Sequence, residues 1–112
     1  PWGSTAPDQN RLNYNNQIGD TTEVGKYPSG ASIYGAMDMV GNVWEWVNDW
    51  YDGSYYGKSP AQNPTGPTLG FDRVVRGGGW GNVVFNVRAS FRDHGPSTYL
   101  DNSIGFRCAS LP

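Results

Sequence analysis

Cysteine and histidine each occur once in this sequence, as Cys108 and His94. A single cysteine excludes an internal disulfide and a cysteine-based zinc cluster. A single histidine excludes a multi-histidine metal site. Charge is also scarce: charged residues are 16% of the 112 residues and the net charge is −2, against an ordinary share of about a quarter. Without a basic patch, the electrostatic footprint of nucleic-acid binding is missing. No apolar run approaches membrane-spanning length. Signal and transit features are absent, so the compartment is unreadable. The opening "PWGST" reads as the start of a piece cut from a longer polypeptide.

What is present is aromatic and turn-rich. The sequence holds five Trp, seven Tyr, 16 Gly and 8 Pro. Such a composition points to one small, loop-rich domain with an aromatic core rather than a helix bundle. Residues 1–33 are polar and irregular, with turn clusters such as "NYNNQIGD" and "YPSG". The segment 43–51, "VWEWVNDWY", alternates and is rich in β-branched and aromatic residues, which predicts a strand. Residues 72–76, 87–92 and 104–109 read as further strands. Residues 52–70, 81–86 and 93–103 read as loops, the first long enough to be functional or mobile.

Two motifs stand out. In "DMVGNVWEW", Asp38 and Glu45 flank a glycine turn. One reading makes Asp38, Glu45 and the carbonyls of Gly41 and Val43 a partial calcium shell, because calcium takes oxygen ligands from carboxylates and backbone alike. The other has Asp38 capping a turn and Glu45 paired with Arg76, Arg88 or Arg107; on spacing alone this second reading is preferred. "RGGGW" at 76–80 lacks the Gly-Lys-Ser/Thr ending of a phosphate loop and does not open a helix. Its glycines instead suit a sharp turn or close backbone approach, with Trp80 filling the core beside them. His94 is expected on a surface loop and Cys108 as a buried, inert thiol. Arg76, Arg88, Arg92 and Arg107 are expected to make structural hydrogen bonds or ion pairs.

Five blocks together, "PWG" at 1–3, the run 27–51, "RVVRGGGW" at 73–80, "RASFR" at 88–92 and "GFRCA" at 105–109, resemble the formylglycine-generating enzyme, or sulfatase-modifying factor, family. The resemblance covers residues 1–112 as a single domain matching the C-terminal part of the family's domain. It implies an α+β, loop-rich, C-type-lectin-like fold with short antiparallel strands and little helix. It also implies structural calcium at Asp38, Gly41, Val43 and Glu45, which turns the balance toward calcium. A second calcium site is implied near Asn13, with Asp20 as a substitute acid.

The family's oxidases bind copper through a cysteine pair just after the glycine motif. Here that stretch is "GNVVFNV", with Asn82 near the place of the first cysteine. Thiolates select Cu(I), and Asn and Val cannot replace them, so neither copper nor that oxidase activity is expected. A related group, the variable proteins of diversity-generating retroelements, changes the residues between "RGGSW" and "GFR" to change the bound ligand. The matching loops, 81–86 and 93–103, hold no Lys, Glu, Gln, Met or Trp, as adenine mutagenesis of AAC codons would leave them. Their composition also suits a paratope.

The leading expectation is a non-catalytic module that binds a protein or surface ligand. Its ligand-facing residues would be Asn82, Val83, Val84, Phe85, Asn86, His94, Ser97, Tyr99, Leu100 and Asp101. The alternatives are a family enzyme with altered or lost copper chemistry, and a partial domain that needs its N-terminal portion or a second copy. A cell-surface, phage or extracellular setting, as part of a longer protein, is compatible with the resemblance.

Overall fold

The computed structural model describes residues 1–109. Its regular structure is one sheet of β1 (Trp44–Trp50), β2 (Asp72–Arg76), β3 (Arg92–Pro96) and β4 (Ile104–Gly105), in the order β3-β2-β1-β4. Single 3-10 turns at Pro28–Gly30 and Tyr55–Gly57 supply the helical content of the described residues. No helix among the described residues is long and apolar enough to cross a membrane.

β1 and β2 fall where the aromatic and β-branched runs predict them. They pair antiparallel, Glu45 opposite Arg76 and Trp46 opposite Val75, but Trp50 lies opposite Arg73. The slip between Trp46 and Trp50 is a bulge, which bends a strand and strengthens its twist. β2 is central, and Val74 and Val75 are buried to 1% and 5% exposure.

The predicted strand at 87–92 is not formed. Residues 83–91 turn back on themselves instead, through Asn86 N–H to the Val83 carbonyl and Phe91 N–H to the Arg88 carbonyl. Local turns thus use the groups that a ladder would need. The strand begins at Arg92 and runs antiparallel to β2, with Val74 opposite His94. His94 therefore sits on an edge strand, not on a loop. The expected strand 104–109 is reduced to Ile104–Gly105, which pairs with β1 parallel rather than antiparallel.

The core is more aliphatic than the composition predicts. Leu12, Val40 and Val87 form its centre, with Trp2 and Tyr14 packed against them. Trp44 is the one buried tryptophan; the others are half-buried. Leu12 comes from the polar, irregular first third of the chain, where no periodicity marks it. The turn at 41–42 joins that segment to the sheet. Gly41 has φ +78, and a Cβ there would stand 2.6 Å from the Asn13 carbonyl oxygen, so no other residue fits. Its N–H donates to the Gly77 carbonyl at 2.9 Å, while the next residue, Asn42, donates to the Asn13 carbonyl and accepts from Trp80 N–H, both at 2.8 Å.

Candidate functional site

The glycine run joins the two candidate loops. A Cβ on Gly79 would lie 3.2 Å from Ser103 Cβ and 3.4 Å from Asn82 Oδ1. The base of loop 81–86 and the base of loop 93–103 thus close on the same glycine. Gly79 N–H donates to Asn82 Oδ1 at 2.8 Å, and the Asn82 carbonyl accepts from Asn15 N–H at 2.8 Å. Asn82 is therefore a half-buried fixture of the loop base.

The tip of the first loop is open. Val83, Val84 and Phe85 are 52%, 53% and 56% exposed, large fractions for apolar side chains in succession. Phe85 packs edge-on to Phe91, with centroids 5.2 Å apart, and Arg88 lies 4.1 Å over its ring. Arg88 Nε also donates to the Phe85 carbonyl at 3.0 Å. Val84 and Phe85 line a cavity of about 450 Å³ together with residues 1–7. Asn86 is half-buried beside them.

The second loop is set differently. Asp101 accepts from Ser103 N–H at 2.8 Å and Ser103 Oγ at 2.5 Å, and from the Tyr99 hydroxyl at 3.4 Å. The Ser103 hydroxyl and N–H hold the carboxyl below the usual range, with a smaller contribution from Tyr99. Tyr99 and Leu100 remain 50% and 89% exposed. Tyr99 and His94 line a cavity of about 260 Å³ whose walls are Trp44, Trp46, Val75, Asp93 and Ile104. Ser97 lies beside another cavity, with Trp46 and Arg73. The loop tips therefore open on distinct cavities although their bases meet.

His94 stacks on Tyr51 with centroids 3.8 Å apart, and its Nδ1 is 2.6 Å from Asp72 Oδ2. No serine or cysteine among the described residues hydrogen-bonds it, so no nucleophile–base pair is assembled. Cys108 is exposed, contrary to the expected buried thiol.

At the implied calcium shell, Glu45 pairs with Arg107, one of the three arginines the sequence offers. Arg107 Nη2 and Nε reach the two carboxylate oxygens at 2.7 and 3.0 Å, and further N–H groups bond the carbonyls of Met37 and Asp38 at 3.0 and 3.1 Å. Hydrogen bonding to Glu45 raises the guanidinium above its usual range. Asp38 Oδ2 takes the Gly25 N–H at 2.7 Å. The described residues contain no cluster of three or more His, Cys, Asp or Glu, so a shell here must draw on carbonyls. Two are available: outside the sheet ladder, no hydrogen bond from the described residues ends on Gly41 or Val43 oxygen. Asp38, Val43 and Glu45 also line one cavity of about 300 Å³. The set is all-oxygen, as a hard cation prefers, but both Glu45 carboxylate oxygens accept from Arg107 and Asp38 Oδ2 accepts from Gly25 N–H. At the second implied site, Asn13 is 1% exposed and its Oδ1 has no partner, while Asp20 Oδ1 caps Thr21 N–H at 2.7 Å.

Sequence reasoning missed Asn42. Its Oδ1 accepts from Thr22 N–H at 2.8 Å and Asn13 Nδ2 at 3.3 Å, and its Nδ2 donates to the Thr22 carbonyl at 3.2 Å. Only its place after the turn glycine hinted at such a role.

The family pattern of the sulfatase-modifying factor enzyme 1-like domain matches residues 2–111. The serine/threonine-protein kinase Pkn1 of Chlamydia trachomatis serovar L2 is 42% identical over 92 residues, covering 80% of this chain and 15% of that protein. The formylglycine-generating enzyme of Streptomyces coelicolor is 36% identical over 80 residues, covering 69% of this chain and 26% of the enzyme. The chain thus spans about a quarter or less of the length of these relatives. Among solved structures, Treponema denticola variable protein 1 superposes with a TM-score of 0.78 at 32% identity, covering 88% of this chain and 35% of that one.

Proposed function

The chain belongs to the sulfatase-modifying factor enzyme 1-like family, and from that premise we propose that it is a non-catalytic binding module. It presents the tips of loops 81–86 and 93–103 to a protein or surface ligand. The observation that carries this is a contrast within each loop. Asn82, Asp101 and Ser103 fix the loop bases by hydrogen bonds, while Val83, Val84, Phe85, Tyr99 and Leu100 stand half or more exposed. Large apolar side chains held out on rigid bases have already met part of the ordering cost of binding. Likeness to a variable protein supports the reading. So does the absence of cysteine from "GNVVFNV", where the resemblance places the copper ligands.

Structural calcium is part of the proposal. Glu45 and the carbonyls of Gly41 and Val43 would hold it, with Asp38 beside them, once the Arg107 guanidinium gives up the Glu45 carboxylate. Its contribution would be to take over the positive charge and the link between the turn and β1 that Arg107 makes.

The test is selection of peptides from a random display library on the wild-type chain, followed by comparison with a Phe85→Ala/Tyr99→Ala variant. Both substitutions remove exposed surface and should leave the circular dichroism unchanged. Selected peptides should bind the variant at least about tenfold more weakly, because aromatic anchors dominate interfaces. Equal binding to both proteins, or unfolding of the variant, defeats the proposal. Turnover of a sulfatase-motif peptide by the chain would instead favour an enzyme with altered chemistry.

A further inference from the structure

Arg76 and Arg92 stand directly opposite each other on β2 and β3, so both side chains leave the same face of the sheet. Like charges in that position destabilise a strand pair. Among the described residues, the ion pairs are Arg11–Asp8, Lys58–Asp52, His94–Asp72 and Arg107–Glu45. Neither Arg76 nor Arg92 takes part in one. Glu45 lies opposite Arg76 on β1, but its carboxylate is bound to Arg107.

Both guanidinium groups meet on one phenol. Arg76 Nη2 donates to the Tyr56 hydroxyl at 2.9 Å and its Nη1 to the Ala89 carbonyl at 3.1 Å. The Arg92 guanidinium lies 4.2 Å over the Tyr56 ring, and its one hydrogen bond is a long 3.4 Å contact with the Asp52 carbonyl. A guanidinium carries five N–H donors in a rigid fork, so most of these donors have no partner among the described residues. Tyr56 is 61% exposed. Arg76 also forms part of the wall of a cavity of about 570 Å³, with Val47 and Ala89, which neither Arg92 nor Tyr56 lines.

We propose that Arg76, bonded to the Tyr56 hydroxyl, and Arg92, stacked on the Tyr56 ring, form a site for a small tetrahedral oxyanion, sulfate or phosphate, free or as the end of a larger ligand. A dianion neutralises both charges at once, whereas a carboxylate neutralises one. Tetrahedral oxygens can accept from both forks and from the phenol together. Asp93, the neighbouring carboxylate on β3, alternates to the other face with Val75, where both line the Tyr99 cavity. The oxyanion site thus includes none of the exposed loop-tip residues Val83, Val84, Phe85, Tyr99 and Leu100.

The experiment follows arginine Nε–H resonances of the wild-type chain during titration with sodium sulfate, sodium phosphate or phenyl phosphate. Sodium chloride at matched ionic strength controls for screening. Arg76 and Arg92 should shift saturably with the oxyanions, at about 1–10 mM, a modest affinity on the standard scale, and chloride should leave them in place. Arg92→Gln should weaken binding about tenfold, because a charge-assisted fork is lost, while Tyr99→Ala should leave it unchanged. Phenyl phosphate binding far more tightly than inorganic phosphate identifies the end group of a larger ligand; equal binding identifies the free ion. Shifts that match chloride, or that spread equally to Arg11 and Arg73, overturn the proposal. So does undiminished binding by Arg92→Gln. If that variant fails to fold, Tyr56→Phe decides with the same readout, since loss of the hydroxyl that holds Arg76 should weaken binding and unchanged affinity refutes the site.

Discussion

Asn42 shows how much a single side chain can hold in place. It adopts φ +64, a conformation asparagine tolerates better than most residues. Its amide ties residues 13 and 22 to the turn before β1. Asn42→Ala leaves the Thr22 backbone groups and the Asn13 amide short of partners and keeps the unfavourable φ. We expect a loss of about 2–4 kcal/mol in urea denaturation, and unchanged stability would refute this account. The asparagine was visible in the sequence, but its partners 20 and 29 positions away were not. Glu45 teaches the same lesson. Three arginines were candidates, and the parallel pairing of β1 with β4 brings Arg107 to it. Cys108 lies in an apolar-looking run, yet it is exposed because the strand stops at Gly105.

At the scale of elements, the segment after β1 is pinned by charge. Lys58 and the Ser54 hydroxyl hold Asp52 at a pKa of about 2, below the ordinary 3.8. A depressed carboxylate contributes stability above its unfolded pKa, and that contribution is lost as the pH falls from about 4 toward 2. Asp52→Asn should therefore flatten the fall of Tm across that window while leaving most of the neutral-pH Tm intact. Parallel curves for the two proteins would sink the prediction. Element identity was legible where pattern and pairing agree. β2 forms over the predicted residues because its adjacent β-branched valines, Val74 and Val75, are both buried and strands on either side pair with it. The strand predicted at 87–92 failed because turn bonds at 83–91 displaced it to "RDHGP", a polar segment with glycine and proline that only the β2 edge makes into a strand.

For the whole molecule, calcium provides the test of how the turn and sheet are joined. If Glu45 with the Gly41 and Val43 carbonyls holds the ion, calcium at tenfold excess over its Kd should add about 1.4 kcal/mol, or about 5–10 °C in Tm for a domain of this size. Magnesium should do less, since it demands a tighter octahedral shell. Glu45→Gln should remove the effect, and a Tm indifferent to calcium in the wild-type chain would exclude the site. The sequence by itself determined the family, the loop-rich class, two of the four strands, and the absence of cysteine from "GNVVFNV". These follow from composition and from short motifs whose residues lie side by side in the chain. Only the tertiary structure decided that Leu12 is core, that His94 pairs with Asp72, and that the two loop bases close on Gly79. It alone set Arg76 against Arg92 across two strands. Each of these depends on register and on contacts between distant segments, which no local pattern encodes.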